Sequence, residues 1–148
     1  SVTVSIEADQ LPERLRSKAL LARISGRNLA SVGGQYDAGY VTGRTRTFGS
    51  YVIAVDTVAP TIRPGNIRNG ADMSRETAIR LDIRDELSGI LRYEGRIDGE
   101  WVLFEHDPKR SLVYYTFDGR VPKGSHELTF RLEDGKGNVS RYRARFTR

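Results

Sequence analysis

Residues Thr77–Asp85 read Thr-Ala-Ile-Arg-Leu-Asp-Ile-Arg-Asp, with Ile79, Leu81 and Ile83 alternating against Arg80, Asp82 and Arg84. A period of two turns one face to a core and the other to water, so the stretch predicts a half-buried β-strand. The same period recurs over His126–Glu133, where Leu128, Phe130 and Leu132 share a face, and over Val139–Thr147, where Tyr142, Ala144 and Phe146 oppose Arg141, Arg143 and Arg145. Asp134-Gly135-Lys136-Gly137-Asn138 between them is a turn composition.

Working outward, Leu91–Asp98 and Trp101–His106 flank Asp98-Gly99, a hairpin signal. Leu112–Asp118 is rich in β-branched and aromatic residues and is broken by Gly119 and by Pro122-Lys123-Gly124. With a short strand at Thr61–Ile62, residues 59–148 carry about seven strands at the turn spacing of an immunoglobulin-like sandwich. Upstream, Val2–Ala8 alternates, Ala19–Ser25 is apolar, and Tyr40–Thr47 and Ser50–Asp56 read as a hairpin around Phe48-Gly49. A helix over Glu13–Ile24 competes with the Ala19–Ser25 strand. Pro60 lacks an N–H and drives Ala59 extended, which marks Asp56–Pro60 as a junction. The expected fold is all-β: two β-sandwich modules, a partial or small one at 1–58 and an immunoglobulin-like one at 59–148.

Composition narrows the chemistry. The 148 residues contain no cysteine, which excludes disulfides, thiolate metal sites and a cysteine nucleophile. No apolar run reaches the roughly 20 residues of a membrane helix. The formal net charge of +5 is spread along the chain, so nucleic acid is not an expected partner. His106 and His126 lack the spacing of a zinc site, and Ser88 lies in a turn rather than a nucleophile elbow. Asp85 with Glu86, and Glu133 with Asp134, with Asp56 near them, are acidic loop ends of the kind that hold calcium between sandwich domains; turn capping is the preferred reading. No catalytic or metal residue is therefore assigned. Trp101, Tyr114 and Tyr115 lie on neighbouring strands with Arg92 and Arg143, and these five are the candidate ligand contacts: aromatic rings for sugar faces, guanidinium groups for carboxylates. A mid-strand Trp is more often core, so Trp101 is expected inside. Tyr114 and Tyr115 must point to opposite faces.

Three stretches carry a resemblance: FGSYVIAVDTVAPTI at 48–62, IRDELSGILRYEGRIDGEWVLFEHD at 83–107 and FRLEDGKGNVSRYRARF at 130–146. Together they resemble the C-terminal immunoglobulin-like region of M23-family (lysostaphin-like) zinc metallopeptidases of Bacteroidota. The resemblance implies a peptidoglycan-acting parent in the periplasm or at the cell surface, with its zinc in a peptidase domain upstream. The HxxxD and HxH zinc motifs of that family are absent from this chain. The chain, which starts without an initiator Met, is expected to be a non-catalytic accessory piece of a longer precursor. It would space or position its own upstream peptidase domain, with peptidoglycan as a further partner and no cofactor of its own. The alternative is a carbohydrate- or protein-binding module of an adhesin-like surface protein.

Overall fold

The computed structural model describes residues 1–148, nearly all of them strand or turn. Two compact units share the chain. The first comprises Ser1–Val58 together with two short turns from later in the sequence, Glu86–Gly89 and Asp134–Asn138. The second comprises Ala59–Asp85, Ile90–Glu133 and Val139–Arg148.

The first unit contains β1 (Val2–Glu7), α1 (Glu13–Arg16), β2 (Ala19–Ser25), β3 (Asn28–Gly33), β4 (Gln35–Asp37), β5 (Tyr40–Thr45) and β6 (Tyr51–Val55). One sheet runs β1-β5-β4 and the other β3-β2-β6. The competing helix stops after one turn, and Ala19 already begins the central strand. The run Ala19-Leu20-Leu21-Ala22 has no alternation because both of its faces are covered. Ala19 and Leu21 pack with Val41 and Ile53, whereas Leu20 and Ala22 pack with Val52, Ala54 and Leu87. The expected hairpin around Phe48-Gly49 does not form. β5 pairs with β1 and β4, and β6 crosses to pair with β2, so the connection passes from one sheet to the other. Phe48 is left 93% exposed at that crossover.

The second unit contains β7 (Thr61–Pro64), β8 (Ala71–Asp72), β9 (Ala78–Arg84), β10 (Ile90–Ile97), β11 (Glu100–Val102), β12 (Glu105–Asp107), β13 (Leu112–Thr116), β14 (Ser125–Asp134) and β15 (Val139–Thr147). They form a five-stranded sheet, β11-β10-β14-β15-β8, and a four-stranded sheet, β12-β13-β9-β7. Ile79, Leu81 and Ile83 of β9 and Val113 and Tyr115 of β13 meet Leu128, Phe130 and Leu132 of β14 and Ala144 and Phe146 of β15 in one core. The expected alternation of β9, β14 and β15 is present in their burial. β8 and β12 are too short to show a period in the sequence, and they enlarge the strand set beyond the roughly seven that turn spacing suggests.

Asp98 and Gly99 have φ of 52° and 82°, the paired positive values of a type I′ hairpin turn joining β10 to β11. The expected strand Trp101–His106 is interrupted after Val102, and Glu105–Asp107 joins the opposite sheet through β13. Phe104 turns inward between the two pieces and is 3% exposed. Its ring meets Phe130 edge-on at 5.0 Å and Tyr115 at 5.9 Å. Gly95 of β10 makes room for that ring: a Cβ there would lie 2.3 Å from two ring carbons of Phe104.

Gly95→Ala is therefore expected to cost about 1–3 kcal/mol by overpacking, and Phe104→Ala about 3–5 kcal/mol by leaving a cavity. In urea unfolding, the double variant should be clearly more stable than the sum of the two losses requires. Strict additivity would show that the glycine does not serve the ring.

Candidate functional site

The core sides of β10, β14 and β15 dictate what their other sides carry. Tyr93, Gly95 and Ile97 face inward from β10, and Arg92, Glu94 and Arg96 face outward. Antiparallel register then sets Arg145 opposite Glu127, Arg143 opposite Thr129 and Arg141 opposite Arg131. Trp101 on β11 lies directly across from Arg96. One sheet face thus gathers Arg92, Arg96, Arg131, Arg141, Arg143 and Arg145 against three glutamates, Glu94, Glu127 and Glu133.

The carboxylates are shared unevenly. Glu133, 8% exposed, takes Arg131 at 2.8 Å and Arg92 at 3.0 Å. The Arg131 hydrogen bond, helped by the nearby Arg92, holds Glu133 below the usual carboxylate range despite its burial. Glu127 lies between Arg143 at 3.7 Å and Arg145 at 3.6 Å, both loose contacts. Glu94 is closed onto Arg96. Arg141 has no carboxylate partner and faces the like charge of Arg131 across the ladder. A shallow groove of about 300 Å³ runs between these side chains, lined by Glu94, Arg96, Thr129, Arg131, Arg141 and Arg143.

Three of the five candidate contacts come together on this face: Trp101, Arg92 and Arg143. Trp101 is not in the core; it is 51% exposed because Val102 takes the inward position of the short strand. Tyr114 lies on the outer side of the other sheet, between Arg80 and Glu105. Tyr115 is 3% exposed and has no surface to offer a ligand. Its hydroxyl donates to Asp118 Oδ1 at 2.8 Å, and burial, then the Asp118 carboxylate, push its pKa up to about 12. Arg131 and Arg141 were not singled out from the sequence. The alternation of Arg141, Arg143 and Arg145 was the available signal, but the pairing of Arg141 with Arg131 is a matter of register between strands.

Among the other acidic candidates, Asp134 and Asp56 accept hydrogen bonds from turn backbone. In the first unit, Asp134 Oδ1 accepts from the backbone N–H groups of Lys136 at 2.8 Å and Asn138 at 2.9 Å, and its Oδ2 accepts from Asn138 Nδ2 at 2.7 Å. Asp56 Oδ2 accepts from the Ser88 N–H at 2.9 Å. Lys18 Nζ donates to the Lys136 carbonyl and to Asn138 Oδ1, each at 2.7 Å. Lys136 Nζ donates to the Gly34 carbonyl at 2.7 Å, and burial lowers its pKa in spite of Asp56 and Asp134. His106 and His126 sit on different sheets of the second unit and do not converge as metal ligands. A concavity of about 830 Å³ opens on the first unit among Ser5, Gln35, Thr42 and Arg44, without a convergent set of buried polar groups.

Comparison with known proteins is consistent with a β architecture and is sparse otherwise. Residues 1–56 match the model of the Zu5-like domain. No curated protein matches the chain. Among solved structures, the endo-beta-1,4-mannanase from Thermotoga petrophila is 15% identical with a TM-score of 0.51, over 62% of this chain and 20% of that one. The match therefore spans only a fifth of the mannanase's own length, and the likeness is one of fold. The fibronectin(III)-like modules of Clostridium thermocellum CbhA are 14% identical with a TM-score of 0.47, over 98% of this chain and 84% of that one. The apo expansin of Clavibacter michiganensis is 13% identical with a TM-score of 0.42, over 96% and 75% respectively.

His126 Nδ1 lies 2.6 Å from Asp98 Oδ2, and its Nε2 lies 2.7 Å from the Pro122 carbonyl. Burial opposes the charged imidazole, but Asp98 and Pro122 outweigh it and raise His126 above its ordinary 6.5. For Asp98, burial likewise opposes the charge, and His126 and the Glu127 N–H lower it below 3.8. The His126 contribution is whole below pH 6.5 and fades as pH rises through the folded value; the Asp98 contribution is whole above pH 3.8 and fades below it. The urea midpoint should therefore fall between about pH 6 and about pH 8. Asp98→Asn, which keeps the positive-φ turn, should flatten that limb; an unchanged slope would remove His126 as its source. Separately, Arg141→Glu converts a like-charge cross-strand pair into an opposite one and should raise stability by about 0.2–1 kcal/mol at low salt. A loss of stability would mean that Arg131 and Arg141 do not oppose one another.

Proposed function

We propose that the chain is a non-catalytic accessory module of a larger exported protein, holding that protein against a polymer of the cell envelope. The observation that carries this reading is the outer face of β10, β14 and β15, where a half-exposed Trp101 adjoins a surplus of arginines. A fixed module of this kind raises the local concentration of a tethered enzyme at its polymer without supplying chemistry. The placement of His126, with both ring nitrogens engaged, and of Asp134, saturated by turn donors, accords with structural roles for both. A fold shared with a fifth of an endo-beta-1,4-mannanase fits a module carried by a larger enzyme. No helix is long and apolar enough to cross a membrane.

The parent in this proposal is an M23-type zinc metallopeptidase acting on peptidoglycan in the periplasm or at the cell surface. Its zinc would lie in a domain outside these residues. Residues 59–148 would be its immunoglobulin-like sandwich of about seven principal strands, and residues 1–58 a smaller module before it. The exposure of Trp101 also favours a second reading, a carbohydrate-binding module of an adhesin-like surface protein. The two share the same face and differ in what accompanies it.

The purified chain is expected to co-sediment with isolated peptidoglycan sacculi at low ionic strength and to release no soluble fragments from them. Failure to co-sediment would overturn the module reading. A peptidase domain with intact HxxxD and HxH motifs in the same open reading frame would support the peptidase parent; a frame without one would overturn it in favour of the adhesin-like reading.

A further inference from the structure

The charge and shape of the outer face select among envelope polymers. We propose that the groove on β10, β14 and β15 is a binding site for an extended acidic polysaccharide, its carboxylates held by Arg131, Arg141 and Arg143 and one sugar ring stacked on Trp101. The inference rests on the accessory reading above and adds to it a ligand class and a site.

Four observations lead there. First, six arginines face three glutamates on one sheet surface, and Arg141 has no carboxylate while it opposes Arg131. A folded surface with like charges in register is stabilised by an anion that bridges them, so the pair is a receptor for a carboxylate. Second, the glutamates are already occupied: Glu133 by Arg92 and Arg131, Glu94 by Arg96, and Glu127 between Arg143 and Arg145. They trim the positive field and orient the guanidinium groups, leaving Arg141 as the unspent cation at the groove. Third, Arg141, Arg143 and Arg145 recur at every second residue of β15, which spaces them by roughly 6.8 Å along the strand. A row of evenly spaced cations suits a linear polymer that repeats its charge, more than a single small anion.

The fourth observation is Trp101. It stands across from Arg96 on the same face, and Arg96 lines the groove. A half-exposed indole offers a flat apolar surface to the C–H face of a pyranose ring while the neighbouring arginines meet the ring's carboxylate. Trp101 is the one exposed aromatic ring on this face; the tyrosines of the candidate set lie elsewhere. Single-stranded nucleic acid is bound by successive stacking platforms that accompany the basic groove, and that succession is missing. A peptide strand would add to a sheet edge, whereas these arginines lie on the open side of a sheet whose β14 and β15 are paired on both flanks. An acidic polysaccharide fits both the single ring and the charged row.

The test uses the whole chain and three probes in isothermal titration: polygalacturonate, the same polymer fully methyl-esterified, and a single-stranded DNA oligonucleotide. Polygalacturonate should bind at low salt, with an affinity that falls as salt is raised; the esterified polymer and the oligonucleotide should bind at least roughly tenfold more weakly. Arg141→Glu with Arg143→Glu should cost roughly tenfold or more in affinity, as expected for losing charge-assisted contacts. The single Arg141→Glu chain, which is expected to fold more stably, should still bind less; that combination separates a lost site from a lost fold. Trp101→Ala should weaken polygalacturonate at high and low salt alike, since stacking is not screened. The proposal is overturned if the esterified polymer binds equally well, if the oligonucleotide binds as tightly through the same arginines, or if the charge reversals leave affinity unchanged. Co-sedimentation with sacculi that survives the charge reversals would overturn this site and leave the accessory reading standing; absence of all binding would remove both.

Discussion

Everything on the outer face follows from the register of β14 against β15. Inside the sandwich, Leu128 pairs with Ala144 and Phe130 with Tyr142, closing the aromatic core. Because side chains alternate, the same register leaves Arg131 no choice but to face Arg141. A slip of one residue would drive Arg141, Arg143 and Arg145 into a space occupied by Phe104 and Phe130. Burying several uncompensated guanidinium groups is far more costly than any gain from separating two solvated ones. The core therefore fixes the charged face, and the repulsion across the ladder persists because its remedy would destroy the core. A local rule broken by a globally enforced register is a usual mark of a surface with another task.

Much of this architecture is legible along the chain, and the limits have physical causes. The strands that become β9, β14 and β15 declare themselves because each has one wet and one dry face. Asp98-Gly99 declares its turn because few residue pairs tolerate two positive φ values. The fate of Tyr40–Thr45 and Tyr51–Val55 is not local. Phe48-Gly49 breaks the strand correctly, but a break does not say whether the chain returns to the same sheet or crosses to its neighbour. The continuous apolar run at Ala19–Ala22 likewise hides its period, since the strand is covered on both sides.

The candidate site shows the same division at finer grain. Arg92 and Arg143 were recoverable because each lies in a strand whose period can be read. Whether Tyr114 or Tyr115 faces water is a question of parity, and adjacent tyrosines give the period no phase; Val113 and the core partner Phe104 supply it only in three dimensions. Trp101 is misjudged from mid-strand position alone because the strand is three residues long and ends where Phe104 dives inward. The complement of Phe104, a missing side chain at Gly95, is visible only as a space.

The division of the chain also bears on how the protein is made. The first unit includes Glu86–Gly89 and Asp134–Asn138, so Leu20 and Ala22 await Leu87 and the Lys18 ammonium awaits Asn138. A ribosome adding about 5–20 residues per second delivers position 138 on the order of 4–16 s after position 58. Until then the strands of the first unit carry an apolar surface without its Leu87 cover. Of these residues, the stretch synthesised first is thus among the last to be completed. The nascent chain therefore has a built-in interval, set by the distance in sequence between position 58 and position 138, in which the first unit is incomplete.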